Sequence, residues 1–349
     1  MNELSSDEAF RSLPLCGIFE KFPLGFLDIG ARGGVHEIVE PFAELTAVLG
    51  FEPDPEECRE MLKEIDANGT PFANLDLEAA GLAAEIGEAT LHRITAPTND
   101  SLREPNRGYV DRYDMIKWHK IGELTVPVTT LDDVVFDRRG DDPHIGEIIK
   151  IDTQGTELEI LRAGGRVLDE RCVAIIAEVS FCELYEGQGR FSDLEIFLAE
   201  HGFVFYGFDL FRLRSCNKLD KRTHWSRERM IQADAVFLKD PLPGDRIEKP
   251  LGERQSACLL MAAVLLEYYE FAVELAESIY SSEDAKPVVE WILSIAELDL
   301  AGELSEMKNA VARAENKPED TAIVSGGFVD RRRKRNDVAF WTSRMMSGS

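Results

Sequence analysis

The sequence is poor in positive charge. Lysine and arginine number 39 against 65 aspartates and glutamates, a formal net charge of −26 at pH 7. Such a surface repels phosphates, which removes nucleic acid from the expected partners. Paired cysteines are missing too: Cys16, Cys58, Cys172, Cys182, Cys216 and Cys258 are spread with no Cys-x-x-Cys among them. That spacing argues against a zinc knuckle or a disulfide framework and for reduced, mostly buried thiols. Long apolar runs are absent as well. The longest, Cys258–Leu266, falls far short of the roughly 20 residues of a membrane helix, so no transmembrane segment is expected. The first residues, Met-Asn-Glu-Leu-Ser-Ser-Asp-Glu, are acidic where a secretory signal is basic, and a cytoplasmic protein is expected.

One more lack carries chemistry. Residues 26–34, Phe-Leu-Asp-Ile-Gly-Ala-Arg-Gly-Gly, run from an apolar strand through an acid into a glycine-rich turn, the outline of a nucleotide-like cofactor site. A dinucleotide fold uses Gly-x-Gly-x-x-Gly so that a pyrophosphate can approach the backbone, and here Arg32 stands where the second glycine belongs. NAD therefore fits poorly. S-adenosylmethionine carries an α-amino group, a carboxylate and a sulfonium but no phosphate, so Asp28 at the strand end and open backbone at Gly30 and Gly33 suit it. Arg32 has three readings: an ion pair to a nearby acid, a clamp for the methionine carboxylate, or an exposed side chain. The clamp is preferred.

At 349 residues the chain can hold one large α/β domain and a smaller appendage. Strand-like and helix-like segments alternate up to about Lys239, as in a mostly parallel sheet with crossover helices. Strands are expected at Gly25–Ile29, Thr46–Glu52, Thr90–Ile94, Glu147–Asp152, Val173–Val179, Phe203–Asp209 and Asp234–Lys239, with helices including Pro55–Ala67, Thr156–Leu161 and Ser192–His201. Ser192-Asp-Leu-Glu195 reads as a capping box and Gly202 as the stop. The stretch Asp240-Pro-Leu-Pro-Gly-Asp reads as a linker. Beyond it, residues 252–315 carry helical periodicity with breaks at Ser281–Asp284 and Ala301–Gly302, so two or three antiparallel helices are expected, followed by the basic run Arg331–Arg335. Two domains result: 1–240, and a helical 250–349 with a basic tail.

In an open parallel sheet, ligands bind outside the carboxyl ends of the strands, near the point where strand order reverses. Glu52 ends the second expected strand in Gly-Phe-Glu-Pro-Asp, where a carboxylate can accept hydrogen bonds from both hydroxyls of a ribose. Its simpler role would be to cap the helix from Pro55. The fourth strand ends in Ile149-Lys-Ile-Asp-Thr-Gln-Gly-Thr-Glu157, placing Lys150 and Asp152 on one face. A buried lysine needs a partner, so an ion pair with Asp152 or Glu178 stands beside a catalytic role for Lys150. Glu178 ends the fifth strand and should flank Asp152. Asp152, Glu157 and Glu178 could together hold a divalent cation, but caps and ion pairs explain them with fewer assumptions, and no metal is assigned. His144 lies at the opposite strand end, and His224-Trp225 could line an acceptor pocket or sit in a surface loop.

Taken in order, Phe-Leu-Asp-Ile-Gly-Ala-Arg-Gly, Gly-Phe-Glu-Pro-Asp, Ser101-Leu-Arg-Glu-Pro-Asn106, Lys150-Ile-Asp-Thr-Gln-Gly-Thr-Glu-Leu-Glu159, Glu178-Val-Ser-Phe, Leu184-Tyr-Glu-Gly-Gln188 and Asp234-Ala-Val-Phe237 form a pattern. It resembles the FkbM family of S-adenosylmethionine-dependent methyltransferases over roughly residues 20–240. One stretch departs from that family: Thr95-Ala-Pro-Thr-Asn-Asp-Ser-Leu replaces a small-residue, cysteine-containing segment. The resemblance implies a class I methyltransferase fold, an α/β doubly wound, mostly parallel seven-stranded sheet, here with C-terminal helices. It also implies S-adenosylmethionine as cofactor and O-methylation of a small-molecule, sugar or glycan acceptor. Asp152, Glu178 and Lys150 are then the expected catalytic residues, and Asp28, Gly30, Arg32, Gly33 and Glu52 the cofactor set. A scaffold that keeps the fold without turnover, and another Rossmann-like enzyme using a nucleotide, are the alternatives. The helices after residue 252 could form a homodimer surface or a lid over the acceptor site, and the sequence leaves both open.

Overall fold

A computed structural model of the protein describes residues 2–140, 142–220, 223–224, 226–244, 250–297 and 300–333. Among the described residues ten strands form two sheets: β1 (Leu24–Ile29), β2 (Thr46–Phe51), β3 (Asn74–Glu78), β4 (Gly81–Leu82), β5 (Gly87–Ile94), β6 (Lys120–Thr129), β7 (Ile148–Ile151), β8 (Ala174–Ser180), β9 (Val204–Arg214) and β10 (Arg229–Leu238). The main sheet has the order β3-β2-β1-β7-β8-β10-β9, and β4-β6-β5 form a smaller one. In the main sheet β10 runs antiparallel to both its neighbours while the pairs among β3, β2, β1, β7 and β8 are parallel. This is the doubly wound, mostly parallel α/β sheet of the class I methyltransferase fold, with helices following it. Strand order reverses between β1 and β7, the place where such a sheet binds its ligand.

The central strands are apolar on both faces because helices cover both. Leu24 and Phe26 of β1 join a core with Ile148, Ile176 and Val236, whereas Leu27 and Ile29 join the opposite core with Ile149, Ile151 and Phe237. On β1 and β7 two charged side chains interrupt the pattern, Asp28 and Lys150. They are register partners on adjacent strands, so each supplies the neutralising charge that the other's burial requires.

Seven strands form the main sheet, but one of them is not the expected one. Thr90–Ile94 lies in the small sheet as part of β5, and the third parallel strand is β3. An edge strand reading Asn-Leu-Asp-Leu-Glu is only half covered, so its polar alternation gives little of the apolar signal used to find buried strands. The helix Phe191–Glu200 is capped two residues earlier than expected, with the Asp193 carboxylate accepting from the Arg190 backbone N–H at 2.9 Å.

Beyond the linker five helices are described, Glu253–Leu265, Tyr269–Ile279, Ser282–Ile295, Leu300–Asn316 and Thr321–Arg333, more than the two or three expected. Ser281 caps the third of them, while Ala301–Gly302 lies inside the fourth. Of the basic run, Arg331–Arg333 close the last helix, and Lys334 and Arg335 lie outside the described residues.

The first of these helices is not an appendage. Nine consecutive residues, Ser256–Val264, are buried, and they share one core with Leu24, Phe26, Ile148 and Val236 of the sheet. A helix apolar all round is a core helix. Arg254 locks it beneath β7: its Nε and Nη2 donate to the Glu147 carboxylate at 2.7 and 2.8 Å, and the same guanidinium donates to the carbonyls of Phe22 and Pro23 at 2.7 and 2.9 Å. Burial pushes the Glu147 carboxyl up, but the hydrogen bonds from Arg254 and His144 outweigh it and hold it below the usual range. Among the described residues, no helix is long and apolar enough to cross a membrane.

Candidate active site

The ends of β1 and β7 are pinned together. The Asp152 N–H donates to the Ile29 carbonyl at 2.9 Å. Gly30 turns here with φ of +89°, and a Cβ on it would stand 2.0 Å from the Asp152 carbonyl oxygen. Only glycine satisfies both the left-handed backbone and the close approach. Gly33 also has positive φ, at +90°, but lies in open space.

Above this junction is a pocket of about 210 Å³ lined by Gly30, Arg32, Phe51, Glu52, Leu82, Leu91, Pro97, Asp100, Ser101, Lys150, Asp152 and Gln154, among others. Gly30, Arg32, Glu52, Lys150 and Asp152 of the expected set therefore line one pocket. Asp28, Gly33 and Glu178 are not among the lining residues.

Asp28 is 1% exposed. Its Oδ2 accepts from the His36 N–H at 2.8 Å, and its Oδ1 sits 3.2 Å from Lys150 Nζ, a charge contact without hydrogen-bond geometry. Burial raises its pKa, with Lys150 and His36 opposing. The aspartate thus anchors the glycine-rich loop from behind. Lys150 pairs with Asp28 and donates to the Gly30 carbonyl at 3.2 Å. Neither Asp152 nor Glu178 is its ion-pair partner, because register puts Asp28 directly alongside.

Arg32 fills the ion-pair reading. Its guanidinium reaches Asp100 at 2.9 Å, Glu57 at 3.2 Å, Asp54 at 3.5 Å and the Pro97 carbonyl at 2.9 Å. A fork held by three acids cannot clamp a ligand carboxylate without giving one up, which corrects the preference for a clamp. The stretch Thr95–Leu102 that departs from the family pattern supplies Asp100 to Arg32, and Pro97, Thr98, Asp100, Ser101 and Leu102 of it line the pocket.

Glu52 is 2% exposed and does not cap the helix Pro55–Asn68, since Asp54 does. One of its oxygens, Oε1, accepts from the Asp54 N–H at 2.8 Å. Burial pushes its pKa up to about 7, against the Asp54 N–H and the Arg32 charge.

Asp152 and Glu178 do flank one another, and the bridge is a residue that sequence reasoning passed over. Gln154 Nε2 donates to Asp152 Oδ1 at 2.6 Å and to Glu178 Oε2 at 2.9 Å. Glu178 also accepts from Gln232 Nε2 at 3.0 Å and lies 3.5 Å from Arg212. Burial, then the Asp152 charge, pushes the Glu178 carboxyl well above its ordinary value. Glu157 accepts the N–H groups of Thr153 and Gly155 and shapes the 152–157 loop, its pKa raised by burial to about 7. Oxygens of Asp152, Glu157 and Glu178 approach within 4.8 Å of one another, a grouping able to hold a cation. Gln154, Ser101 and Tyr185 all fall inside motifs quoted from the sequence, but periodicity assigns such polar residues no partner. His144 pairs with Glu147 at 3.4 Å at the far end of β7, away from this cleft. Trp225 lies outside the described residues.

The pattern for the Methyltransferase FkbM domain matches residues 28–205, about half of the chain, from the Asp28 loop to the start of β9. The chain belongs to the FkbM methyltransferase family. No curated protein matches it. Among solved structures, this FkbM-family chain is similar to the methyltransferase FkbM from Methylobacillus flagellatus KT, with 14% identity over 62% of this chain and 43% of that one, at a TM-score of 0.34. It is also similar to magnesium protoporphyrin IX methyltransferase from Synechocystis PCC 6803, with 9% identity over 65% and 76% of the two chains and a TM-score of 0.30. Precorrin-6y C5,15-methyltransferase from Geobacter metallireducens GS-15 gives 15% identity over 68% and 93%, with a TM-score of 0.26.

Proposed function

We propose that this protein is an S-adenosylmethionine-dependent O-methyltransferase acting on a hydroxyl of a sugar, a glycan or a natural-product scaffold. The observation that carries this reading is that two carboxylates, Glu52 and Asp152, line one cleft at the switch point. The donor set suits the cofactor. Glu52 has one oxygen committed to Asp54 and a raised pKa, which a ligand diol would relieve by hydrogen-bonding to the charged form. Phe51, Leu82 and Leu91 offer apolar surface for an adenine. When bound, S-adenosylmethionine supplies an activated methyl group on a sulfonium.

Asp152 is the residue in place to orient the acceptor hydroxyl and take its proton as the oxygen attacks. Lys150 balances Asp28 and keeps the loop under the cofactor in shape. Glu178, set behind Gln154, acts on Asp152 through charge and not by contact with the acceptor. Alignment and exclusion of water supply the rest of the rate. Because the chain covers 43% of the length of the Methylobacillus protein, the activity is assigned here on the site and the family together.

The test is transfer of labelled methyl from S-adenosylmethionine to a panel of sugar and phenolic hydroxyls. Asp152→Asn is expected to slow single-turnover transfer by ~10²-fold or more while cofactor affinity stays nearly unchanged. Full activity in that variant would remove Asp152 as the base, and tighter binding of NAD than of S-adenosylmethionine would remove the reaction class.

A further inference from the structure

We propose that Gln154 is the positioning residue of this site, with its amide fixed by a Trp118–Tyr185 relay so that it holds the Asp152 carboxylate in one orientation. The inference rests on the reading of Asp152 as the acceptor-facing carboxylate. Its basis is the direction of each hydrogen bond. An indole N–H can only donate, and Trp118 Nε1 donates to the Tyr185 hydroxyl at 3.0 Å. Tyr185 must then pass its one proton onward, and the shorter of its two acceptors is Gln154 Oε1 at 2.8 Å, against the Asn99 carbonyl at 3.1 Å. With the carbonyl end of the amide so occupied, both Nε2 protons point the other way, to Asp152 at 2.6 Å and Glu178 at 2.9 Å. A flipped amide would set its oxygen against two carboxylates.

The backbone is held as firmly. Gln154 has φ of +58°, a left-handed conformation unusual for a residue with a Cβ. The Ser101 hydroxyl donates to its carbonyl at 2.7 Å. Gln154, Trp118 and Tyr185 are 6%, 8% and 0% exposed, so water does not compete for these bonds. Among the described residues, Gln154 is the one side chain that hydrogen-bonds Asp152. Lys150 on β7, Glu157 on the helix that follows, Glu178 on β8, Arg212 on β9 and Asp234 on β10 act on Asp152 through charge. A hydrogen bond donated to the charged carboxylate favours that form. Gln154 therefore gives both acids a donor, and the relay behind it fixes which way that donor points.

The relay is tested without turnover. In crystal structures of the full-length protein, the Asp152 carboxylate is expected to keep one orientation in the wild type and to spread over more than one in Gln154→Leu. Tyr185→Phe, which removes a single hydroxyl and keeps the ring, is expected to loosen it less. S-adenosylhomocysteine affinity should hold in both variants, which marks the fold as intact. If Gln154→Leu fails to fold, Tyr185→Phe alone decides the matter, and an unmoved Asp152 carboxylate in a folded variant overturns the proposal. Full activity of Asp152→Asn would instead overturn the reaction assignment, so the two failures are told apart.

Discussion

Glu52→Ala tests the proposed cofactor site through both affinity and pH. The carboxyl is buried, and its pKa stands at about 7, above the ordinary 4.5. Between those two values the free protein holds a proton on Glu52, whereas a bound diol needs the charged form as acceptor. Binding must therefore release a proton. The affinity of the wild type should improve about tenfold per pH unit up to about 7 and level off above. At pH 8 the variant loses a hydrogen bond to a charged group, a cost of about 1.5–3 kcal/mol or about 10- to 150-fold in Kd. Calorimetry with S-adenosylhomocysteine at pH 5.5, 6.5, 7.5 and 8.5, in buffers of different ionisation heat, reads the affinity and the proton together. Equal affinities for the two proteins, or a pH slope that survives in Glu52→Ala, would refute the argument.

Two further outcomes follow from the shared core. Truncation after Gly244 should abolish the cooperative melt of the remaining sheet, because burial of Leu259, Leu260, Met261, Val264 and their neighbours contributes on the order of 10 kcal/mol, comparable to the whole stability of a domain; a truncated protein with an unchanged calorimetric transition would show the helices to be independent. Arg254→Ala leaves Glu147 buried with only His144 and the Gly25 N–H beside it and should destabilise by about 3 kcal/mol in chemical denaturation. Since Glu147 is held below its usual range, the pairing contributes at neutral pH and is lost as pH falls through the folded pKa, so the gap between wild type and variant should narrow in acid.

The central parallel strands were legible in the sequence because burial on both faces forces near-continuous apolar runs, as in Phe26–Ile29 and Ile148–Ile151. The edge strand Asn74–Glu78 and the antiparallel pair β5–β6 were harder. Their residues alternate and are partly exposed, and alternation says that a strand exists without saying which sheet it joins. In the site, Glu52 and Asp152 could be placed from strand ends alone, since a carboxyl end fixes position. Partners could not. Lys150 pairs with Asp28 through register across 122 residues of chain, and Arg32 is captured by Asp100 from the small sheet's loop. The separation of the helices into their own domain rested on the prolines at 241 and 243, which mark a turn in the chain but do not show where the next helix packs.

The most direct test of the proposed cofactor site is a structure of the protein with S-adenosylhomocysteine bound. The account predicts the ribose hydroxyls on the Glu52 carboxylate, the adenine against Phe51, Leu82 and Leu91, and the sulfur facing Asp152. A ligand seated elsewhere, or one in this cleft with its ribose turned away from Glu52, would contradict it.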